Sequence, residues 1–267
     1  MSKKLTVPDI IEMKKEGRKI SMMTAYDYPT GMFIEKAGIN TILVGDSLAM
    51  TVLGYEGTIP VTVDEMIHHT KAVARGAKNT FIIADMPFGS YNTTEEKAID
   101  NASRFLKEGM ADAVKLEGGT EMAGITRAVV DAGIPVLGHI GLTPQTVAQL
   151  GGYKVQGRGE ERAQKLMEDA KALEDAGAFG VVLECIPLGL AGEITEAIGI
   201  PTIGIGAGVH CDGQVLVYND VMGLFDKFTP KFVKPYADLG DQILKALEQF
   251  KKEVEEEVFP GEEYSFK

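Results

Sequence analysis

The sequence contains few of the residues that mark several common classes of protein. It has no tryptophan and only two cysteines, Cys185 and Cys211, among 267 residues. Two cysteines cannot build a disulfide framework, so a small secreted scaffold is excluded and a reducing cytoplasm is favoured. Lysine and arginine never form a run longer than a pair. The chain therefore lacks the cationic stripe that binds a phosphate backbone, and we expect no nucleic-acid partner.

Long apolar runs are also missing. No stretch approaches the roughly 18 consecutive apolar residues of a membrane-spanning helix, and no apolar segment follows the two lysines within residues 1–9, so we expect no signal peptide. The 27 basic and 39 acidic residues give a formal net charge of −12, which disfavours anionic membrane surfaces. The hydrophobic content of 45% is ordinary for a globular domain. With no linker-like tract, the sequence predicts a single cytoplasmic domain over residues 1–267.

Eight short apolar segments alternate with longer segments of helical periodicity, a pattern that predicts repeated βα units. The predicted strands are Ile20–Ala25, Thr41–Val44, Thr80–Ala84, Ala113–Leu116, Val136–Gly138, Gly180–Leu183, Thr202–Ile205 and Gln214–Tyr218. Eight strands with helical crossovers favour a closed (β/α)8 TIM barrel over an open doubly wound sheet. Too few residues separate the last two strands for a full helix. Residues Asp238 to Val258 predict an amphipathic C-terminal helical extension.

The predicted helices carry local start and stop signals. Thr62 with Glu65, and Thr93 with Glu96, have the spacing of a capping box. Five glycines follow a helical segment and precede a strand, where a left-handed residue ends a helix. These glycines are Gly38, Gly76, Gly109, Gly133 and Gly177.

Ionisable residues lie at or next to the ends of the second to sixth predicted strands. They are Asp46, Asp85, Lys115, Glu117, His139 and Glu184. In a barrel, these strand ends converge on the face that carries the active site. Carboxylates at the ends of apolar strands are costly to bury unless they are paired, hydrogen-bonded or metal-bound, so the group predicts a cation. Asp46, Asp85 and Glu117 are hard oxygen donors suited to Mg²⁺. The alternative for any one of these acids is a cap on the following turn.

Individual roles follow from chemistry, with alternatives. Lys115 and Glu117 are two residues apart and project from one face of their strand; Lys115 either meets an anionic substrate group or forms a structural ion pair with Glu117. Glu184 ends an apolar strand and is the candidate general base. His139 either donates to a substrate oxygen or holds the long connection that follows it. Cys185 is expected to pack rather than act as a nucleophile, because no histidine is placed to activate it.

Nine ordered blocks of the sequence resemble the ketopantoate hydroxymethyltransferase family, and they extend over nearly the whole chain from Lys4 to Glu263. The blocks are residues 44–48, 53–54, 60–62, 84–88, 114–119, 138–145, 151–159, 183–185, and 204–208 followed by 212–214. Residues 209–211 depart from the family pattern, as does Ala49, where many members have glycine. The resemblance implies a (β/α)8 barrel of the phosphoenolpyruvate/pyruvate-binding type. It implies transfer of a one-carbon unit from 5,10-methylenetetrahydrofolate to 3-methyl-2-oxobutanoate, giving 2-dehydropantoate for pantothenate synthesis. It also implies a homo-oligomer, specifically a homodecamer.

The same resemblance implies roles for the residues at the strand ends. The implied Mg²⁺ residues are Asp46, Asp85 and Glu117, the last through a water molecule. The implied keto-acid contacts are Asp46, Ser47, Asp85 and Lys115, with His139 as a further substrate-binding candidate. Glu184 is the implied proton acceptor, and Mg²⁺ would stabilise the enolate formed when it takes the C3 proton.

Other functions remain open on the sequence alone. Lys115 as a Schiff-base nucleophile would make the chain a metal-independent aldolase acting on a 2-oxo acid. A carbon–carbon lyase or mutase of the phosphoenolpyruvate kind keeps the barrel but usually needs a reactive cysteine in a mobile loop, which this chain does not place suitably. A non-catalytic sensor of a keto acid or folate would bind without turnover. The glycine-rich residues 204–208 are not followed by a helical segment, so a dinucleotide site is disfavoured.

Overall fold

The computed structural model describes residues 3–224 and 229–267, so the first two residues of the N-terminal segment lie outside it. The chain divides into two compact units, Met1–Val217 and Tyr218–Lys267. The first unit contains eight parallel strands that pair in sequence order, and the barrel closes where the last strand, Gly213–Leu216, pairs with the first, Ile20–Thr24. The predicted (β/α)8 barrel is therefore confirmed, whereas the single-domain organisation stays a prediction.

The bounds of the elements are as follows. The strands are β1 Ile20–Thr24, β2 Thr41–Val44, β3 Phe81–Asp85, β4 Ala113–Glu117, β5 Val136–Gly141, β6 Gly180–Glu184, β7 Thr202–Ile205 and β8 Gly213–Leu216. The helices are α1 Val7–Lys15, α2 Tyr28–Lys36, α3 Leu48–Thr51, α4 Val63–Gly76, α5 Glu95–Lys107, α6 Ala123–Asp131, α7 Val147–Leu150, α8 Glu160–Asp175, α9 Leu188–Ala197, α10 Tyr218–Val221 and α11 Leu239–Glu255. Short 3₁₀ turns occupy Thr120–Met122, Pro144–Thr146 and Glu262–Tyr264.

The barrel interior is filled by every second side chain of its strands, as the period of two in a β-strand requires. Phe81 and Ile83 of β3, for example, lie in one buried cluster with Leu137 of β5. Ile10 and Met13 of α1 pack into the same cluster. Because this cluster includes the first residues of several strands, α1 covers the amino end of the barrel. The opposite, carboxyl end carries the ionisable residues.

Several strands end later than the sequence predicts. The third strand begins and ends one residue later, so that Asp85 is its last residue, and β5 and β6 extend to Gly141 and Glu184. His139 and Glu184 therefore lie within strands, where the alternation of side chains decides which way they point. The apolar-run criterion stops at polar residues, and this explains the short predicted ends. In the described part of the chain, no helix separates β7 from β8, as predicted.

The cap signals are confirmed at some helices and wrong at others. Thr62 and Glu65 form the predicted capping box of α4. At α5, however, Thr94 accepts a hydrogen bond from the backbone N–H of Lys97, so Thr94 and not Thr93 is the N-cap.

The prediction of a left-handed glycine after a helix is likewise confirmed at some positions and wrong at others. Gly38, Gly133 and Gly177 have the expected positive φ. Gly76 instead lies inside α4, where a Cβ would clash with the backbone carbonyl of Tyr28 in α2.

The second unit contains α10, α11 and the last 3₁₀ turn. The helix predicted over Asp238 to Val258 is confirmed with slightly shorter bounds, and none of its side chains is buried. The ring of Phe259 meets that of Phe250 in α11 edge-on and that of Tyr264 at a tilt, with centroids 5.7 and 5.6 Å apart, so the terminal residues fold back onto α11. Across the described residues, none of the helices combines the length and the apolar character needed to cross a membrane.

Candidate active site

Four neighbouring strands bring the candidate residues together at the carboxyl end of the barrel. Asp85 of β3 is in register with Lys115 of β4, and Glu117 of β4 is in register with His139 of β5. Each of these residues continues the inward alternation of its strand, as does Glu184 of β6. The alternation predicts one cluster, and the contacts below bear this out.

Lys115 lies at the centre of the cluster with its side chain buried. Its Nζ is 3.1 Å from Asp85 Oδ1, 3.7 Å from Glu117 Oε1 and 3.1 Å from His139 Nδ1. Burial alone disfavours the ammonium form, but the nearby carboxylates of Asp85, Glu117 and Asp46 outweigh it and raise the pKa of Lys115 above its usual value. Lys115 therefore keeps its positive charge at neutral pH.

His139 bridges two glutamates. Its Nδ1 is 3.3 Å from Glu117 Oε1, and its Nε2 is 3.2 Å from Glu184 Oε2. The second contact has the distance of an ion pair but lacks hydrogen-bond alignment, which leaves Nε2 without a directed partner. Burial and Lys115 oppose protonation of the ring, yet the two glutamates outweigh them and raise the pKa of His139 to about 9. Lys115 and His139 are the two residues of the cluster that can carry a positive charge.

Asp46 follows β2 and joins the cluster through its backbone as well as its side chain. Its N–H donates to Asp85 Oδ2 at 2.9 Å, and its own Oδ2 accepts a hydrogen bond of 2.9 Å from Gln145 Nε2. Burial, then the charges of Asp85 and Glu117, raise the pKa of Asp46 well above its usual range. Burial likewise raises the pKa of Asp85, although Lys115 opposes the shift. For both acids, the favourable effect of Lys115 on the ionised form is smaller than the cost of burial and of the neighbouring carboxylates.

The pKa of Glu117 is shifted in the opposite direction from those of Asp46 and Asp85. Its Oε1 faces His139 and Lys115, and its Oε2 accepts a hydrogen bond of 3.1 Å from the backbone N–H of Gln145. Burial would raise the pKa of Glu117, but His139, Lys115 and Gln145 together lower it. Both carboxylate oxygens are thus already engaged by protein groups.

Ser47 lies at the edge of the cluster, next to Asp46 and only partly buried. Its Oγ is 2.8 Å from the hydroxyl of Tyr26, which follows β1. Glu184 is the least buried of the candidate acids, with 15% of its side chain exposed. Gly141 of β5 has a positive φ, and a Cβ there would clash with the backbone carbonyl of Glu184. The close approach of the two strands at this point requires glycine.

The charges of the cluster do not balance. Asp46, Asp85, Glu117 and Glu184 face only two cations, Lys115 and His139, so the fully ionised cluster has an excess of two negative charges. Asp85 Oδ1 is buried and accepts no directed hydrogen bond, although Lys115 lies 3.1 Å away. In residues 3–224 and 229–267, no three Asp, Glu, His or Cys side chains already surround one metal position. Mg²⁺ needs fewer, because it commonly binds one or two carboxylates and completes its shell with water and substrate.

Two buried residues of the site were not identified from the sequence. Gln145 lies in the 3₁₀ turn after β5, and Tyr91 lies in the connection between β3 and α5. The Tyr91 hydroxyl is 2.9 Å from Gln145 Oε1 and accepts a hydrogen bond of 3.1 Å from the backbone N–H of Glu117. Neither residue is ionised at neutral pH or lies at a strand end, so the sequence gives no sign of a role for either one.

Cys185 immediately follows Glu184, but its backbone is left-handed, with φ of 49°, and the strand does not continue through it. Burial, and secondarily Glu184, raise the pKa of the Cys185 thiol to about 12. The thiolate is therefore scarce at neutral pH, in agreement with the prediction that Cys185 is not a nucleophile.

Comparison with solved structures identifies the architecture. A phosphonopyruvate hydrolase superposes with a TM-score of 0.63 and 13% identity, covering 97% of this chain and 93% of that one. A 2,3-dimethylmalate lyase, a member of the PEP mutase/isocitrate lyase superfamily, gives a TM-score of 0.60 and 16% identity, covering 98% and 92%. These structures share the (β/α)8-barrel fold of this chain, as the sequence predicts, and the chain is a (β/α)8-barrel protein with a buried ionisable cluster at the carboxyl end of its strands.

Sequence comparison narrows this class to one family. The family model for ketopantoate hydroxymethyltransferase matches residues 4–262. The 3-methyl-2-oxobutanoate hydroxymethyltransferase of Heliobacterium modesticaldum is 61% identical over 266 residues, which are 100% of this chain and 96% of that protein. The enzyme of the same name from Carboxydothermus hydrogenoformans is 60% identical over 98% of this chain and 95% of its own length. The chain belongs to the ketopantoate hydroxymethyltransferase family.

Proposed function

We propose that the protein transfers a hydroxymethyl group from 5,10-methylenetetrahydrofolate to 3-methyl-2-oxobutanoate to give 2-dehydropantoate. The observation that carries the proposal is the buried cluster around Lys115, which offers a cation, hard oxygen donors and a partly exposed base at one end of the barrel. Family membership supports the choice of keto acid. The proposal includes a place in pantothenate and coenzyme A biosynthesis in the cytoplasm, and a homo-oligomer, specifically a homodecamer.

In this proposal Asp46 and Asp85 hold a Mg²⁺ ion, and Glu117 contributes through a water molecule. The excess of two negative charges and the orphaned Asp85 Oδ1 favour a divalent cation next to these acids. Both oxygens of Glu117 are engaged by His139 and Gln145, which favours an indirect contact. When bound, the ion supplies Lewis acidity that polarises the two oxygens of a 2-oxo acid.

The keto acid is bound by the chain's own cations and hydroxyls. Lys115 holds the carboxylate of 3-methyl-2-oxobutanoate and offsets the negative charge that develops during the reaction. Ser47, whose Oγ is held by Tyr26, donates a hydrogen bond to a substrate oxygen. His139 donates to a substrate oxygen from Nε2, which is buried and has no directed hydrogen-bond partner among the described residues of the free chain.

Glu184 accepts the proton from C3 of the bound keto acid, and the resulting enolate attacks the methylene carbon of the folate. General-base catalysis by a positioned carboxylate contributes about 10²- to 10⁴-fold in rate. Water adds at the methylene carbon and both C–N bonds to the folate nitrogens break, which releases tetrahydrofolate with its two nitrogens protonated. The enolate forms its C–C bond to this one-carbon unit, and the proton held by Glu184 passes to the oxygen that came from water and becomes the product hydroxyl.

Deuterium exchange at C3 of 3-methyl-2-oxobutanoate tests substrate, metal and base together. In D₂O with Mg²⁺, NMR should show enzyme-dependent loss of the C3 proton signal, and EDTA should stop it. Adding 5,10-methylenetetrahydrofolate should convert the keto acid to 2-dehydropantoate. An exchange rate that is the same with EDTA as with Mg²⁺ would contradict the metal-assisted proposal.

The Schiff-base alternative, with Lys115 attacking this or another 2-oxo acid, makes the opposite prediction. It requires a neutral amine, whereas Asp85 and Glu117 stabilise the ammonium form of Lys115. Borohydride in the presence of the keto acid would then trap a covalent adduct at Lys115, and EDTA would leave activity unchanged. We expect no adduct by mass spectrometry.

A further inference from the structure

The side chain of Gln145 is buried and uses all its polar atoms within the site. Its Nε2 donates to Asp46 Oδ2 at 2.9 Å and to the backbone carbonyl of Met86 at 3.0 Å. The Met86 carbonyl can only accept, so the orientation of the amide is fixed: a flipped amide would place its oxygen against that carbonyl. Its Oε1 correspondingly lies 2.9 Å from the hydroxyl of Tyr91.

Tyr91 connects this amide to β4. Its hydroxyl accepts a hydrogen bond from the backbone N–H of Glu117 at 3.1 Å and lies 3.1 Å from the Glu117 carbonyl oxygen. The backbone N–H of Gln145 donates to the Glu117 carboxylate itself at 3.1 Å. A single residue thus binds the carboxylates of both Asp46 and Glu117, which come from different strands.

Asp46 needs such a restraint because its neighbours repel it. It lies after the end of β2, in the field of two other carboxylates, Asp85 and Glu117, and it is almost fully buried. A charge-assisted hydrogen bond from a fixed amide is the contact that holds its side chain toward the cluster. Without that donor, electrostatic repulsion and desolvation would turn the carboxylate away.

We propose that Gln145, held in orientation by Tyr91, is a positioning residue that fixes the Asp46 carboxylate relative to Glu117 for binding of a divalent cation and a 2-oxo acid. The identity of the ligands rests on the proposed function. The geometry that Gln145 fixes is a property of the free chain and is tested separately.

Two substitutions in the full-length protein separate this role from a general contribution to stability. Gln145→Met keeps the length of the side chain and removes both donors, while the backbone hydrogen bond to Glu117 remains. Tyr91→Phe removes only the hydroxyl. Thr195→Val is the matched control, because it removes a buried hydroxyl that bonds to Thr202 and the Ala191 carbonyl at the amino end of β7.

For each variant, crystal structures without ligands, titration calorimetry with Mg²⁺ and with 3-methyl-2-oxobutanoate, and thermal unfolding are measured. We expect Gln145→Met to displace the Asp46 carboxylate but not that of Glu117, and to weaken Mg²⁺ binding 10- to 100-fold, the usual effect of removing a group that orients a metal ligand. Tyr91→Phe should weaken binding in the same direction by a smaller factor. Thr195→Val should lower the unfolding temperature and leave Mg²⁺ affinity within twofold of the wild type.

An Asp46 carboxylate that stays in place in Gln145→Met overturns the proposal, whatever the affinities. If the wild type binds neither Mg²⁺ nor the keto acid, the proposed function fails, and the unliganded structures still decide the positioning role. If Gln145→Met does not fold, the same comparison in Tyr91→Phe decides it: an unchanged position of the Gln145 amide and Asp46 overturns the proposal.

Discussion

At the scale of residues, the site contains more carboxylates than cationic groups, and the barrel strands hold these side chains close together. Asp85, Lys115, Glu117 and His139 could be selected from the sequence because they lie at or next to the predicted ends of apolar strands, and side-chain alternation then fixes which way they point. Gln145 could not be selected in this way. It lies in an aperiodic connection, where a neutral amide gives no signal until the chain has folded around it.

The role of Glu184 can be tested by replacing its carboxylate with the isosteric amide. We expect Glu184→Gln to slow C3 proton exchange of 3-methyl-2-oxobutanoate by 10²-fold or more, because the amide cannot accept the proton. Binding of the keto acid by calorimetry should persist, since Lys115 and Ser47 are unchanged. Glu168→Gln, at an exposed position of α8 where the carboxylate accepts a hydrogen bond from Gln164, is the control and should exchange at the wild-type rate. Exchange near the wild-type rate in Glu184→Gln would remove it from the base role.

At the scale of elements, local signals specify helix ends only to within a residue. The predicted box at Thr93 and Glu96 is displaced because Thr94 also offers a hydroxyl, and the chain takes Thr94 as the N-cap of α5. At the end of α5 the left-handed residue is Met110, with φ of 61°, although Gly109 precedes it. A Cβ on Gly109 would meet the backbone carbonyl of Phe105 at 2.5 Å, so glycine is needed there for close packing rather than for a left-handed turn.

The two threonines form a matched pair for testing this difference. Thr62→Ala should lower the free energy of unfolding by about 1 kcal/mol, because it removes both hydrogen bonds of the Thr62 hydroxyl in the capping box of α4. Thr93→Ala should change it by less than about 0.5 kcal/mol, since Thr93 precedes the N-cap of α5 and is exposed. Urea denaturation followed by circular dichroism at one protein concentration measures both. An equal loss in the two variants would show that the cap assignment at α5 is incorrect.

At the scale of the whole molecule, closure of eight parallel strands could be predicted because eight short apolar segments alternate with segments of helical periodicity in the sequence. The effect of a cation bound at the charged cluster on the stability of the whole protein could not be predicted from the sequence. The chain carries a net charge of −12, so any added cation screens it, and general screening has to be separated from binding at one site.

The effect of Mg²⁺ on the unfolding temperature therefore tests whether the ion binds at one site. A ligand that binds only the folded state at 100 times its dissociation constant stabilises it by about 2.7 kcal/mol. We expect Mg²⁺ to raise the unfolding temperature more than NaCl of equal ionic strength does, and Asp85→Asn to abolish that extra increase. Asp112→Asn is the control: its carboxylate accepts a hydrogen bond from the backbone N–H of Ile82 and pairs with the Lys4 ammonium, near the amino end of β3, and the increase should persist. Equal effects of Mg²⁺ and NaCl on the wild type would argue against a specific site.

The alternation that turns Lys115 and Glu117 inward has a consequence for how this protein can vary. Inserting or deleting one residue within β4 would rotate every later side chain of the strand to the opposite face, placing Lys115 or Glu117 among the surrounding helices. The four strands β3 to β6 therefore tolerate substitutions, which change the chemistry of the site, but not insertions or deletions, which would turn the site residues to the opposite face. Natural and engineered insertions should accumulate in the connections, such as the segment between β5 and α8, and be absent from these strands.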